Sequence, residues 1–268
     1  MTENENNEMP KVLVGTSAHE GKEYIIDEFL SNVRKFTYPR FDIYICDNSR
    51  TEEYSNKIIN KAKELNLNII VDRDAWCTDF RGRMVTTHNK LRERALKGNY
   101  DYLLILDQDI LPDQDIIERM VSHKKDAVSG VYKLNMGEKL GFVNCCWKKR
   151  LKLVKGELVA RWLQDSELNN GLIEWVGGVP TGCLLLSKKV LEDTVFRHDG
   201  FLQDSVYYKD IGLANHKIYV DTDIMCEHKS SDWDDIRKND INDVIKTRGI
   251  GSEKNKYYFN ELVPKTII

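Results

Sequence analysis

The chain has 268 residues, 41% of them hydrophobic, enough for one large domain or two small ones. Its 40 Lys and Arg against 43 Asp and Glu leave a formal charge of -3, which excludes the global basic field that draws nucleic acid. No apolar run reaches the roughly 18 to 20 residues that span a bilayer, and the opening MTENENNEMP has neither the basic nor the apolar region of a signal peptide, so a cytoplasmic protein without a transmembrane segment is expected.

Residues 1–9 are polar, and disorder is expected there. KVLVGTS (11–17) predicts a strand, EYIIDEFLSNVRKF (23–36) an amphipathic helix, and FDIYICDNS (41–49) a second strand with a carboxylate at its end. A helix is expected over 52–66, a third strand over 67–74, a helix over 83–98 closed by Gly98, a fourth strand over 100–109, and a helix over 112–123 with Pro112 in its opening turn. This alternation argues for an α/β fold with a Rossmann-like, mostly parallel central sheet flanked by helices. Neither GxGxxG nor GxxxxGK[ST] follows any of these strands, so phosphates bound here need another source of neutralisation.

Past residue 126 the texture changes to short strand-like runs broken by Gly, Asn and Lys, which predicts a smaller mixed or antiparallel sheet appended to the first. A helix over 203–215 and a strand pair over 216–229 follow, and the loosely helical spacing of Trp233, Ile236, Ile241, Val244 and Ile245 predicts a helix docked on the domain. The six cysteines, Cys46, Cys77, Cys145, Cys146, Cys183 and Cys226, show no CxxC spacing and read as free, mostly buried thiols of a reducing compartment.

The sharpest chemical signal is LLILDQDILP (103–112). Leu103 to Leu106 has the character of a central strand covered on both faces, where ionised aspartates cannot stay. Asp107 and Asp109 therefore belong at the strand's carboxyl end, where open α/β sheets bind ligands. On an extended segment the two carboxylates point the same way and can meet one hard cation, Mn²⁺ or Mg²⁺, with water and substrate phosphates completing its shell. A solvated turn in which Asp109 or Asp113 caps the next helix is the competing explanation.

These landmarks, in this order, resemble a GT-A fold glycosyltransferase, closest in style to the family 2 enzymes with a DxD motif. The resemblance covers roughly residues 10–230: Thr16 and Ser17 end the first strand, Asp47 the second, Arg83 precedes Asn89 in the helix before DQD, VGGVPTGCLLL is a Gly-rich acceptor-side segment, QDSVYYKDIG matches the "ED" helix, and CEHK supplies a late histidine. It implies a nucleotide-binding half over 10–125, an acceptor-binding half over 126–230 and a C-terminal extension over 231–268. It also implies a UDP- or GDP-sugar donor and an acceptor that is a glycan, lipid-linked sugar, protein or small metabolite.

For individual residues the resemblance implies that Thr16, Ser17, Asp47, Arg83 and Asp107 contact the donor nucleotide, and that Asp107, Asp109 and His228 hold the metal. Asp47 serves equally well as a turn residue capping the helix near Glu52. Asp204 takes the position of the general base of inverting members, while helix-start chemistry explains the same residue as an N-cap, and Gln203 departs from the usual Glu-Asp pair. Trp175, Gly178, Pro180 and Gly182 are expected on the acceptor or sugar side, an indole face and bare glycine backbone being suited to a sugar ring; a core tryptophan in an irregular turn is the alternative. Two other functions fit parts of the pattern: a nucleotidyltransferase, weakened because GTSAHEGKEY offers only Gly21 and Lys22 of a phosphate-binding loop, and a non-catalytic binding module that inherited the fold.

Overall fold

The computed structural model describes residues 9–75, 79–135, 141–154, 157–175, 177–198 and 203–229. The expected disorder before Met9 and the expected extension over 231–268 lie outside the described residues.

The first half follows the predicted alternation: β1 (Val12–Ala18), a 3-10 turn (Glu20–Ile25) leading into α1 (Ile26–Val33), β2 (Phe41–Asp47), α2 (Glu53–Glu64), β3 (Ile70–Arg73), α3 (Phe80–Lys97) and β4 (Tyr102–Leu106). β1 lies between β2 and β4, parallel to both, and β3 is parallel to β2 at the edge. Successive side chains of β4 enter opposite cores. Leu103 and Ile105 pack with Leu91 and Ala95 of α3, while Leu104 and Leu106 pack with Phe29 and Leu30 of α1. Both faces are covered, which is why this strand reads as an unbroken apolar run; each of these leucines adds about 2 kcal/mol of burial free energy.

Two boundaries differ from expectation. The segment before α1 is interrupted at Lys22, whose backbone (φ -110°, ψ 23°) is not helical. Pro112 does not open the next helix: a two-residue strand, β5 (Ile110–Leu111), and a turn intervene before α4 (Ile116–Ser122).

The second half contributes β6 (Ala127–Asn135), β7 (Phe142–Val154), β8 (Glu157–Leu163), β9 (Leu172–Trp175), β10 (Gly177–Gly178), β11 (Cys183–Ser187), α5 (Lys188–Asp193), α6 (Gln203–Leu213) and β12 (Ile218–His228). Its strands extend the first sheet: β11 inserts antiparallel between β4 and β6, giving the order β10-β7-β6-β11-β4-β1-β2-β3. The unforeseen α5 starts where the Ser187 hydroxyl accepts from the Val190 amide. The expected strand pair over 216–229 is one strand, β12, irregular between Val220 and Met225. It runs parallel to β6 and antiparallel to β9, then reaches β5, where His228 lies opposite Ile110.

The five described cysteines are free and buried. Among the described residues no helix is long and apolar enough to cross a membrane.

Candidate active site

The carboxyl ends of β1, β2 and β4 bring Ser17, Asp47 and Asp107 to one edge of the sheet. Just beyond β4 the Ile110 amide donates to the Asp107 carbonyl at 3.0 Å, closing a turn over residues 107–110. The DQD segment is therefore a turn and not the extended segment on which the expected alternation rests.

Asp107 faces β11. Its amide donates to the Gly182 carbonyl at 3.0 Å, and a Cβ on Gly182 would lie 3.0 Å from Asp107 Oδ2 and 2.6 Å from the Tyr132 hydroxyl. Gly182 is glycine because this carboxylate and phenol occupy the space a side chain would need. Asp107 Oδ1 is buried without a hydrogen-bond partner. Such an oxygen is costly unless a donor or cation reaches it.

Asp109 is 2% exposed. Lys22 Nζ lies 2.8 Å from its Oδ1, and His228 Nε2 lies 3.3 Å from its Oδ2. His228 Nδ1 is 3.0 Å from the Lys133 carbonyl, which can only accept, so Nδ1 carries the hydrogen and Nε2 is directed at the carboxylate. Although burial pushes the Asp109 carboxyl up, the Lys22 ammonium and the His228 contact outweigh it and hold the group below the ordinary carboxylate range.

Gln108, fully buried between the two aspartates, joins this turn to the β1–α1 loop. Its Oε1 accepts from the His19 amide at 2.8 Å, and its Nε2 donates to the Lys22 carbonyl and the Tyr54 hydroxyl, both at 2.7 Å. The middle residue of DQD thus fixes the backbone that delivers the Lys22 ammonium to Asp109. Neither Gln108 nor Lys22 was singled out from the sequence as a site residue; the legible signal was a cation in the loop after β1, next to Gly21.

Asp204, in the first turn of α6, accepts from the Thr181 hydroxyl at 3.1 Å. Burial raises its carboxyl above the ordinary range, and the neighbouring Asp107 charge adds to that, against the opposing influence of His88 and the Thr181 hydrogen bonds. The Thr181–Gly182 turn therefore touches both Asp204 and Asp107. Gln203 Nε2 lies 2.6 Å from Nδ1 of the buried His88, whose ring stacks on Phe196.

Other predicted residues have mainly structural contacts. Both oxygens of the buried Asp47 are engaged locally: Oδ1 accepts from the Ser49 amide and hydroxyl, at 2.9 and 2.5 Å, and Oδ2 accepts from the Ser55 hydroxyl. This is the turn role, tying β2 to α2. Thr16 is buried with an unpartnered hydroxyl, Ser17 is half-buried 3.5 Å from Asn48 Nδ2, and Arg83 is buried in the first turns of α3. Asn89 bonds both backbone groups of Phe196.

The acceptor-side expectation is corrected at two positions. Trp175 is 4% exposed, and its Nε1 donates to the carbonyls of Trp147 at 3.2 Å and Gly178 at 3.3 Å, so its indole is a core element with no face for a sugar. A Cβ on Gly178 would stand 2.1 Å from the Trp147 ring, so the close approach that this glycine permits is to an indole. Pro180 is buried as well.

The metal expectation is also narrowed. Among the described residues no group of three His, Cys, Asp or Glu side chains converges on a common point. Asp109 and His228 form a contacting pair, with His228 Nε2 3.3 Å from Asp109 Oδ2. That pair nonetheless suits a divalent ion, with an imidazole whose other nitrogen is anchored on a backbone carbonyl and a carboxylate oxygen facing it. A shell with few protein ligands is ordinary for Mg²⁺ or Mn²⁺ completed by phosphates and water. Two surface hollows, one lined by Asp126 and Lys188 and one by Asn32 and Asp113, include none of these residues.

Solved structures share this architecture. The mannosyltransferase PcManGT from Pyrobaculum calidifontis, solved with GDP-Man and Mn²⁺, aligns over 83% of this chain with a TM-score of 0.54 and 16% identity. The chain has a glycosyltransferase fold. Within that fold, TarS from S. aureus aligns over 88% of the chain with a TM-score of 0.54 and 17% identity, and its 1–349 fragment in complex with UDP-GlcNAc aligns over 82% with a TM-score of 0.53 and 17% identity. The match covers 40% of TarS, 59% of the fragment and 57% of PcManGT, so the chain spans well under two thirds of their lengths. No protein-family model and no curated protein matches the sequence.

Proposed function

We propose that the chain is a glycosyltransferase that moves a sugar from a nucleoside-diphosphate donor to an acceptor hydroxyl. The observation that carries this reading is the pair of oppositely tuned carboxylates at the carboxyl edge of a glycosyltransferase-type sheet. Asp109 is buried beside His228 and Lys22 and held below the ordinary carboxylate range, and Asp204, bonded by Thr181, is raised above it. Structures of the same fold solved with UDP-GlcNAc and GDP-Man support a nucleotide-sugar donor.

In this reading the nucleotide lies over Thr16, Ser17 and Arg83, with Asp107 at the ribose or diphosphate. Asp109 and His228 would hold Mn²⁺ or Mg²⁺, with Asp107 as the further carboxylate of the DQD turn. When bound, the ion offsets charge on the departing diphosphate as a Lewis acid. Asp204 accepts the acceptor hydroxyl's proton as that oxygen bonds to the anomeric carbon and the bond to the diphosphate breaks; Thr181 orients the carboxylate.

A thermal-shift panel tests the donor site: UDP, GDP, CDP and dTDP, each with and without Mn²⁺, on the wild type and on Asp109→Ala. A ligand that binds only the native state raises stability by RT ln(1 + [L]/Kd). The expected result is a selective shift for one nucleotide that is lost in Asp109→Ala. No shift with any of the four overturns the reading.

A further inference from the structure

Lys22 and Asp109 form an ion pair whose side chains are 16% and 2% exposed, with Nζ 2.8 Å from Oδ1. A pair this buried gives up about as much in desolvation as it gains in attraction, so stability alone does not account for it. Nor is it an accident of a loose surface chain. Gln108 bonds His19 N and Lys22 O on either side of the loop, so the DQD turn itself sets where the ammonium can go. The chain has no glycine-rich phosphate loop, and the loop holding Lys22 occupies the place after β1 where such a loop would stand. A lysine on a four-carbon stem is a mobile point charge well suited to phosphate oxygens.

We propose that Lys22 is a diphosphate-binding residue of the donor site: it pairs with Asp109 in the absence of donor and moves to a phosphate oxygen when donor and divalent ion are present. This rests on the donor-site reading above. The move conserves charge pairing, because Lys22 exchanges one anionic oxygen for another and Asp109 gains the ion as its partner. Lys22 and a divalent ion accordingly compete for Asp109.

The test is calorimetric titration of wild type, Lys22→Met and Lys22→Arg with Mn²⁺ alone, then with UDP, GDP, CDP and dTDP at saturating Mn²⁺, and with the matching nucleosides. Lys22→Met is expected to bind Mn²⁺ alone several-fold more tightly, because its competitor is gone. It is expected to bind the preferred diphosphate about tenfold more weakly, the scale of one lost charge-assisted hydrogen bond. Its nucleoside affinity should be unchanged, and Lys22→Arg should keep most of the diphosphate affinity. Wild-type diphosphate affinity in Lys22→Met, or Mn²⁺ affinity equal to wild type, overturns the proposal. A wild type that binds none of UDP, GDP, CDP and dTDP overturns the donor-site reading itself, and this inference with it. If Lys22→Met does not fold, Lys22→Gln carries the same comparison.

Discussion

The Gln108 amide holds the Lys22 carbonyl at 2.7 Å, and the same side chain accepts from the His19 amide at 2.8 Å. The DQD turn and the loop after β1 are consequently one unit. Gln108→Ala leaves the His19 amide and the Tyr54 hydroxyl without this buried partner and opens a small void, which should lower stability by about 2–4 kcal/mol. Tyr54→Phe removes one of these bonds and should cost about 1 kcal/mol. Urea denaturation of both variants checks this; equal stability of Gln108→Ala and wild type would show that the clamp holds nothing together.

The two tuned carboxylates should respond oppositely to pH. Asp204 is raised in the folded state, so its contribution to stability is present below the ordinary value of about 3.9 and is lost as pH rises through its folded-state pKa. Asp204→Asn should therefore stabilise the protein at neutral pH while lowering turnover about 10²- to 10⁴-fold. Asp109 is depressed, so its contribution is present above about 3.9 and lost as pH falls toward its folded-state pKa; Asp109→Asn should destabilise at neutral pH. Urea midpoints measured at about pH 2.5, 4 and 7 test both signs, the step from 7 to 4 for Asp204 and that from 4 to 2.5 for Asp109.

Turnover should carry the same signature. A base acts as carboxylate, so the acid limb of the pH–rate profile should lie above the ordinary carboxylate value of about 3.9. Thr181 donates to Asp204 and favours its ionised form, so Thr181→Val should move that limb to higher pH. A limb that stays in place would remove Asp204 from the role of base.

Gly182→Ala places a methyl 2.6 Å from the Tyr132 hydroxyl and 3.0 Å from Asp107 Oδ2. The Tyr132 hydroxyl must move, and the Asp107 carboxylate beside it is crowded as well. Diphosphate affinity is expected to fall about tenfold or more while the protein stays folded, as read by calorimetry beside far-UV circular dichroism.

Trp175 separates a core role from a sugar-binding one. Trp175→Phe loses the indole N–H and part of the buried volume, so it should cost about 1–3 kcal/mol in stability. The acceptor KM should not change. A raised acceptor KM at unchanged stability would restore the residue to the acceptor site.

The sequence by itself determined the layered α/β architecture and the edge at which the chemistry gathers. Leu103 to Leu106 could only be a strand covered on both faces, and the aspartates after it could only stand at its end, because apolar burial and the cost of a buried charge act on any chain that contains them. Asp107 and Asp109 were legible for that reason, whereas Asp204 and His228 were marked only by their order in the glycosyltransferase resemblance. What only the tertiary structure decided are the partners. The hydrogen bond from Ile110 to Asp107 folds DQD into a turn, the pairing of β12 with β5 places His228 on Asp109, and Gln108 holds the loop that brings Lys22 there from 87 positions away. Trp175 and Asp47 were ambiguous by residue type, since an indole serves a sugar or a core and a carboxylate serves a base or a turn. Their neighbours Trp147, Ser49 and Ser55 resolved them, because whether a polar atom is free for a ligand depends on contacts that local sequence pattern does not encode.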